Sequence, residues 1–359
     1  MSLVTSFNSF ISTFGYGGHI YVLPILIILA MLAAGSGLGG GVVYLSILEV
    51  FLGLQEHESV PISKAIIMGG TLIVLIINVR KRHPDNGRSL IYFDAFFLME
   101  PLTVVGTEFG VMLNEWLPVI VLRWILVVVL AYVLYSQFKK AIRVFKTESK
   151  SASYEKLLPN KIYNIRDTFP LVDFLLFVVF WIIFLVLSIM IDFNVMDPAI
   201  FQVLKVVLAL IFTLVFHLRV LKRTDDSLLE GGNLIKFGLL AILAGIVASS
   251  IGLGGGVVKV PALSMLGKDI LTVTSTSSAM IFFTASSSSI QYLATHAIDL
   301  KKLVFHAVIG FLSFFLGKTV IDRIIKKTGH RSYALFALST LIFIGFILIF
   351  RSAIMLSLE

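Results

Sequence analysis

The sequence predicts an all-α, polytopic membrane protein made of two inverted repeats, and three observations carry that prediction. Hydrophobic residues make up 58% of the 359-residue chain and charged residues 14%, against about 45–50% and about 25% in an ordinary soluble domain. Apolar runs reach the roughly 18–20 residues that cross a bilayer. The heptapeptide GLGGGVV occurs twice, at Gly37–Val43 and Gly252–Val258, each time inside apolar sequence.

Residues 1–20 form an N-terminal segment whose first eighteen residues lack Lys and Arg, so it has no basic start of a signal or transit peptide. The first repeat covers 21–137. It opens with the apolar segment Tyr21–Leu54, interrupted by the glycine motif, and continues in spans at about 62–79, 92–113 and 117–137. A basic cytoplasmic loop occupies 138–170, and two linking transmembrane helices fill 171–221. The second repeat covers 234–350: the interrupted segment Leu234–Leu266, then spans at about 271–293, 303–325 and 333–350.

The arms on either side of each glycine motif are short for a hydrocarbon core about 30 Å thick, at about 1.5 Å per helical residue. Each segment therefore reads as a re-entrant helical hairpin with glycines at its tip; two thin complete spans are the alternative. Basic residues collect at 78–88, 139–166, 219–223 and 323–331, which places these loops in the cytoplasm. The loops QEHES, NEW and DFNVMD lack basic residues and fall on the other face. From these anchors the two hairpins open from opposite sides, which makes the halves inverted; Lys301 and Lys302 on the outer face count against the scheme. The repeat extends beyond the motif, since LSILEVFLG (45–53) resembles VPALSMLG (260–267) and VPISKAIIM (60–68) aligns with VTSTSSAMI (273–281).

A net charge of +8 would suggest nucleic acid in a soluble protein, but here the loops between spans account for it, and no nucleic-acid partner is expected. The absence of cysteine removes thiolate metal sites and cysteine nucleophiles. The scattered histidines lack ligand spacing. No metal, cofactor, catalytic constellation or nucleotide-hydrolysis motif is legible, so the chain reads as a non-enzyme. GSGLGG (35–40) matches the dinucleotide pattern only by accident, because membrane sequence surrounds it and Val257 breaks it in the second copy.

Glycine clusters let backbone amides approach an anion, and a helix that begins there aims its positive dipole end at the same point. Two such tips, with Gly39, Gly40 and Gly41 in one and Gly254, Gly255 and Gly256 in the other, would build one central anion site. Close helix packing is the bland alternative, since Gly37/Gly41 and Gly252/Gly256 have small-residue spacing. Beside the hairpins lie Ser63-Lys64 and the run Thr274–Ser278, which contains Thr276 and Ser277. Hydroxyls and an ammonium suit an oxyanion; alternatively Lys64 snorkels to the surface. Lys259 complements an anion or reaches the cytoplasm. Glu100 and Glu108 fall inside a span and are the proton-coupling candidates, or partners for Lys64 or Arg123.

GLGGG followed by a hydroxyl-rich span, with SKAIIMGG (63–70), RKRHP (80–84), YFDAFFLMEP (92–101) and SSIGLGGGVVKVPAL, resembles the TauE/SafE sulfite exporter family, particularly its eukaryotic, plant-type branch. The resemblance spans about 23–350. It implies a secondary transporter, an exporter, of sulfite, sulfonates or related sulfur-containing anions, coupled to protons, with substrate bound between the paired hairpins. On this chain that points to Gly39–Gly41, Ser63, Lys64, Gly254–Gly256, Thr276 and Ser277. Ser46 stands where the second copy has Pro261, and the first hydroxyl patch is thinner.

The resulting expectation is an integral, multi-pass anion transporter working by alternating access, whose partners are a small anion, the lipid bilayer and a second copy or another membrane subunit. A carrier of another small organic anion is the nearest alternative. A membrane subunit that keeps the fold but binds a protein partner, through the segment 139–166, is the alternative from another class.

Overall fold

The computed structural model of the chain describes residues 21–34, 40–83, 87–148, 169–191, 197–221, 231–328 and 332–358. These form twelve helices. The first half contains α1 (Val22–Ala33), α2 (Gly41–Leu52), α3 (Glu56–Arg80), α4 (Phe93–Trp116) and α5 (Val119–Glu148). The linking pair is α6 (Leu171–Met190) and α7 (Pro198–Leu221). The second half contains α8 (Gly231–Ser250), α9 (Gly256–Ser264), α10 (Ile270–Ala294), α11 (Leu300–Thr328) and α12 (Ser332–Leu358).

Seven of these, α3 to α7 with α11 and α12, are long and apolar enough to cross a membrane. The chain is an integral, multi-pass, all-helical membrane protein. The eighth predicted span, α10, has the length but not the apolarity, because Ser and Thr crowd its sequence. Packing explains why it tolerates them. Helix α10 lies against α3, α4, α6 and α9, and Thr276, Ser277, Thr284 and Ser287–Ser289 are completely buried. Its surroundings are protein, so hydroxyls that hydrogen-bond to the preceding turn cost little there.

The interrupted segments do break at the glycines. Helices α1 and α2 have 12 residues each, or roughly 18 Å, and α9 has 9, or roughly 14 Å; neither length crosses a hydrocarbon core. Helix α8, with 20 residues, is the longest of the four arms. The basic segment read as a loop from residue 138 begins as helix, because α5 runs on to Glu148: Lys, Arg and Ala there favour continuing the spiral once it has started.

Contacts between the halves are reciprocal. Helix α4 packs on α8 and α10, and correspondingly α11 packs on α1 and α3; α3 meets α10, and α5 meets α12. Directions follow from the register. Gly106 and Gly110 lie on the carbonyls of Ile242 and Ile246, and Asn114 reaches Ser250, so α4 and α8 run in parallel. Tyr92 with Thr276, Glu100 with Thr284 and Thr107 with Gln291 put α4 parallel to α10 as well. Helices α5 and α12 instead run antiparallel, since Trp124 stacks edge-on to Phe350 while Phe138 meets Phe336. Helices α5 and α12 hold corresponding places in the two halves.

The linking helices are held by aromatic packing. Phe97 stacks on Phe216 at 5.0 Å, and Phe177 meets Phe96 and Phe283 edge-on at 4.9 and 4.8 Å. Offset and edge-on rings gain about 0.5–1.5 kcal/mol per pair beyond burial, so α6 and α7 are fixed against α4 and α10.

Candidate functional site

Both glycine tips use the same backbone device. Gly40 precedes α2 with φ 75°, and Gly255 precedes α9 with φ 73°. This left-handed conformation is one that glycine alone adopts without a Cβ penalty. No side chain caps either helix start, so the first amides of α2 and α9 have no side-chain acceptor of their own. Gly254, Gly255 and Gly256 are buried. Gly39 lies outside the described residues.

The two tips touch. A Cβ on Gly41 would lie 2.4 Å from the Gly252 carbonyl oxygen and 2.9 Å from Ile67 Cδ1. Close packing is therefore one use of the motif.

The second tip is held by side chains from three helices. Tyr292 Oη donates to the Ser249 carbonyl at 2.7 Å and Asn114 Nδ2 to Ser250 at 2.8 Å. Ser63 Oγ donates to Gly252 at 3.0 Å, and Lys64 Nζ to Leu253 at 2.9 Å. These carbonyls sit at the C-terminal end of α8, where the helix dipole is negative and an ammonium is favourable. Lys64 has no exposed surface, so it does not snorkel. It joins α3 to the opposite hairpin.

The buried charges pair in ways the sequence order hid. Lys259 Nζ lies 2.8 Å from Glu100 Oε2 and donates to Thr284 Oγ1, which donates to Glu100 Oε1 at 2.7 Å. All three are fully buried, and Lys259 neither reaches the cytoplasm nor faces an open anion site. Glu108 pairs with Lys205 of α7 at 2.6 Å, next to Ser188 of α6. Arg123 grips Glu56 through Nε and, at 2.9 Å, Nη2. The pairings of Glu100 or Glu108 with Lys64 or Arg123 are thus replaced by Glu100–Lys259, Glu108–Lys205 and Glu56–Arg123. Sequence proximity could not reveal partners that tertiary packing supplies.

A cavity of about 250 Å³ lies between the end of α1, the end of α3, the start of α10 and α11. Lys81, Arg82 and Lys318 line it together with Asn78, Thr274, Ser275 and Ser278, and no acidic side chain does among the described residues. Ala34 brings the first hairpin to its wall. Within the hydroxyl run it is Thr274, Ser275 and Ser278 that face the cavity. Thr276 instead accepts from the Tyr92 amide at 2.9 Å and donates to Thr272, and Ser277 is fully buried. The sequence reading missed Asn78, Lys81, Arg82 and Lys318. The signal for the basic pair was present in the NVRKR segment but was absorbed by the orientation rule.

A sequence profile of the sulfite exporter TauE/SafE family matches residues 21–165 and 161–347. The chain belongs to the TauE/SafE family. Among similar TauE/SafE proteins, Arabidopsis thaliana sulfite exporter TauE/SafE family protein 5 is 23% identical over 361 residues, covering 89% of this chain and 79% of its own length. Family protein 3 of the same plant is 24% identical over 349 residues, covering 86% and 73%. No solved structure matches.

Proposed function

We propose that this TauE/SafE chain is a secondary transporter that exports sulfite, a sulfonate or a related sulfur-containing anion by alternating access between two inverted halves, coupled to protons. The observation that carries the reading is the cavity in which Lys81, Arg82 and Lys318 meet three hydroxyls and an amide beside the first hairpin. Ammonium, guanidinium and hydroxyl donors are the chemistry that desolvates a small oxyanion. From this mouth the anion passes towards the abutting tips, where the uncapped starts of α2 and α9 supply further amides. The names of the Arabidopsis relatives point to the same substrate class.

Alternating access fits two inverted halves whose glycine tips abut where Gly41 meets Gly252. Glu100 is the group proposed to exchange the proton: its carboxylate is buried with Lys259 and Thr284 at the root of the second hairpin, so neutralising it frees α9 from α4. Glu108 is the weaker candidate, since its partner Lys205 belongs to the linking helices.

The test is flux of sulfite, then of short sulfonates and carboxylates, in proteoliposomes with and without an imposed pH gradient. Saturable flux that follows the gradient and falls in Gly40→Val supports the proposal. No flux of any of these anions would overturn it and favour a subunit that binds another membrane protein.

A further inference from the structure

The two hairpins differ in how their returning arms are covered. Helix α2 is sealed onto α12, where a Cβ on Gly345 would lie 2.5 Å from Ser46 Oγ. Helix α9, the corresponding arm, leaves a cavity of about 240 Å³ against α5, with Pro261 in the place of Ser46. Gln137 on α5 lines this cavity, is 2% exposed, and its Oε1 has no hydrogen-bond partner. An unpaired buried amide is costly and asks for a polar occupant. Lys139, Lys140 and Arg143 also line the cavity, and no acid does among the described residues. The occupant is therefore anionic.

Its depth says which anion. Along α5, Val128 is 67% exposed, Tyr132 49% and Tyr135 65%, an apolar surface turned outward that changes to cations one turn later. Lys139 Nζ lies 5.7 Å from the centre of the Tyr135 ring. Apolar side chains, then tyrosines, then lysines mark the boundary between hydrocarbon and headgroups. The cavity thus opens beside lipid at phosphate level, on the basic side of the membrane, where anionic phospholipids meet such cations.

We infer that the gap between α5 and α9 is a binding site for the phosphate headgroup of an anionic phospholipid of the cytoplasmic leaflet, held by Gln137, Lys139, Lys140 and Arg143. The acyl chains lie along Val128 and Tyr132. The headgroup bridges α5 to the short arm that starts at Gly255, so its occupancy braces the second hairpin as Ser46 and Gly345 brace the first. The inference does not depend on which solute the protein carries.

The test titrates the full-length, detergent-purified chain with phosphatidylglycerol, phosphatidylcholine or glycerol 3-phosphate, reading retained lipid by native mass spectrometry and Tm. One phosphatidylglycerol per chain is expected to survive delipidation and to raise Tm, with phosphatidylcholine doing neither. The combined Lys139→Gln, Lys140→Gln, Arg143→Gln variant should lose retention about a hundredfold, whereas Lys146→Gln, beyond the cavity, should not. Gln137→Leu should also lose retention, yet without lipid its Tm should equal or exceed that of the parent, because it removes the unpaired amide. Equal retention of the two lipids, or undiminished retention in the triple variant and in Gln137→Leu, would overturn the inference. A Tm rise with glycerol 3-phosphate as large as that with phosphatidylglycerol would overturn the lipid assignment in favour of a soluble anion.

Discussion

Lys64 Nζ lies 2.9 Å from the carbonyl oxygen of Leu253, which ties the third helix of one half to the glycine tip of the other. Ser63, its neighbour, holds Gly252 in the same way. Two adjacent donors on α3 therefore clamp the tip that α9 springs from. Lys64→Met should leave the Leu253 carbonyl without its donor and cost about 1–3 kcal/mol, lowering Tm by several degrees. Lys64→Gln keeps a donor but no charge. If the ammonium also attracts the transported anion, Lys64→Gln should recover most of the Tm yet transport poorly; equal flux in Lys64→Gln and parent would assign Lys64 to clamping alone.

Glu100 and Lys259 form a second tie, between α4 and α9, with no contact to solvent. Removing one member strands the other as a buried charge. Glu100→Gln and Lys259→Met are each expected to destabilise by about 3–5 kcal/mol, and the double variant by much less than the sum. A denaturation cycle over the four proteins measures this. Costs that simply add would show that the pair does not interact. In liposomes Glu100→Gln should lose the response of flux to a pH gradient while passive exchange of anion persists.

How much of this was legible depends on the range of the interaction. Helices and tips announce themselves locally, through apolar length and through the glycine run, and the repeat was visible because the second copy of the motif has the same neighbours. Lys64 and Glu100 stood out as ionisable residues within spans. Their partners did not, since Leu253 lies 189 residues from Lys64 and Lys259 lies 159 from Glu100. The hydroxyl run showed where a polar helix face would be, but not that Thr274, Ser275 and Ser278 face the cavity while Thr276 meets a backbone amide. That division depends on helix rotation, and α10 has hydroxyls all round, so its sequence carries no stripe to fix it.

Gly41 offers a steric test of the contact between tips. Alanine there would put its Cβ 2.4 Å from the Gly252 carbonyl, a backbone atom that cannot step aside without parting the hairpins. Gly41→Ala should therefore lower Tm and flux together, whereas Gly53→Ala, with open space around its Cβ, should show only the strain of a positive φ, on the order of 1 kcal/mol. Equal losses in the two variants would argue that the tips do not bear on each other.

The cavity makes a kinetic prediction. Lys318 and Ser278 contribute a charge and a hydroxyl to its wall, so Lys318→Gln and Ser278→Ala should raise the KM for the anion with little change in Tm. Loss of one charge-assisted hydrogen bond, about 1.5–3 kcal/mol, corresponds to roughly ten- to a hundredfold for Lys318→Gln, and the neutral hydroxyl to less. Raising ionic strength should weaken the parent more than Lys318→Gln. An unchanged KM in both variants would place the anion path elsewhere.

Asp269, at the start of α10 and outside the membrane-spanning segments, gives the last prediction. Partial burial pushes its carboxyl up, but hydrogen bonds from Thr272 and Leu271 and the nearby His83 outweigh this and hold it below the usual carboxylate range. A carboxyl whose folded pKa is depressed stabilises the fold above its unfolded value, about 3.9. That contribution disappears as pH falls through the lower folded value. Asp269→Asn keeps a capping oxygen for the helix but no charge. Its Tm deficit relative to the parent should be constant from neutral pH down to about pH 4 and shrink below it. Thermal unfolding followed across that range reads the effect directly, and a deficit that persists unchanged at pH well below 4 would show that the carboxylate's charge is not what holds α10 to the α3–α4 connection.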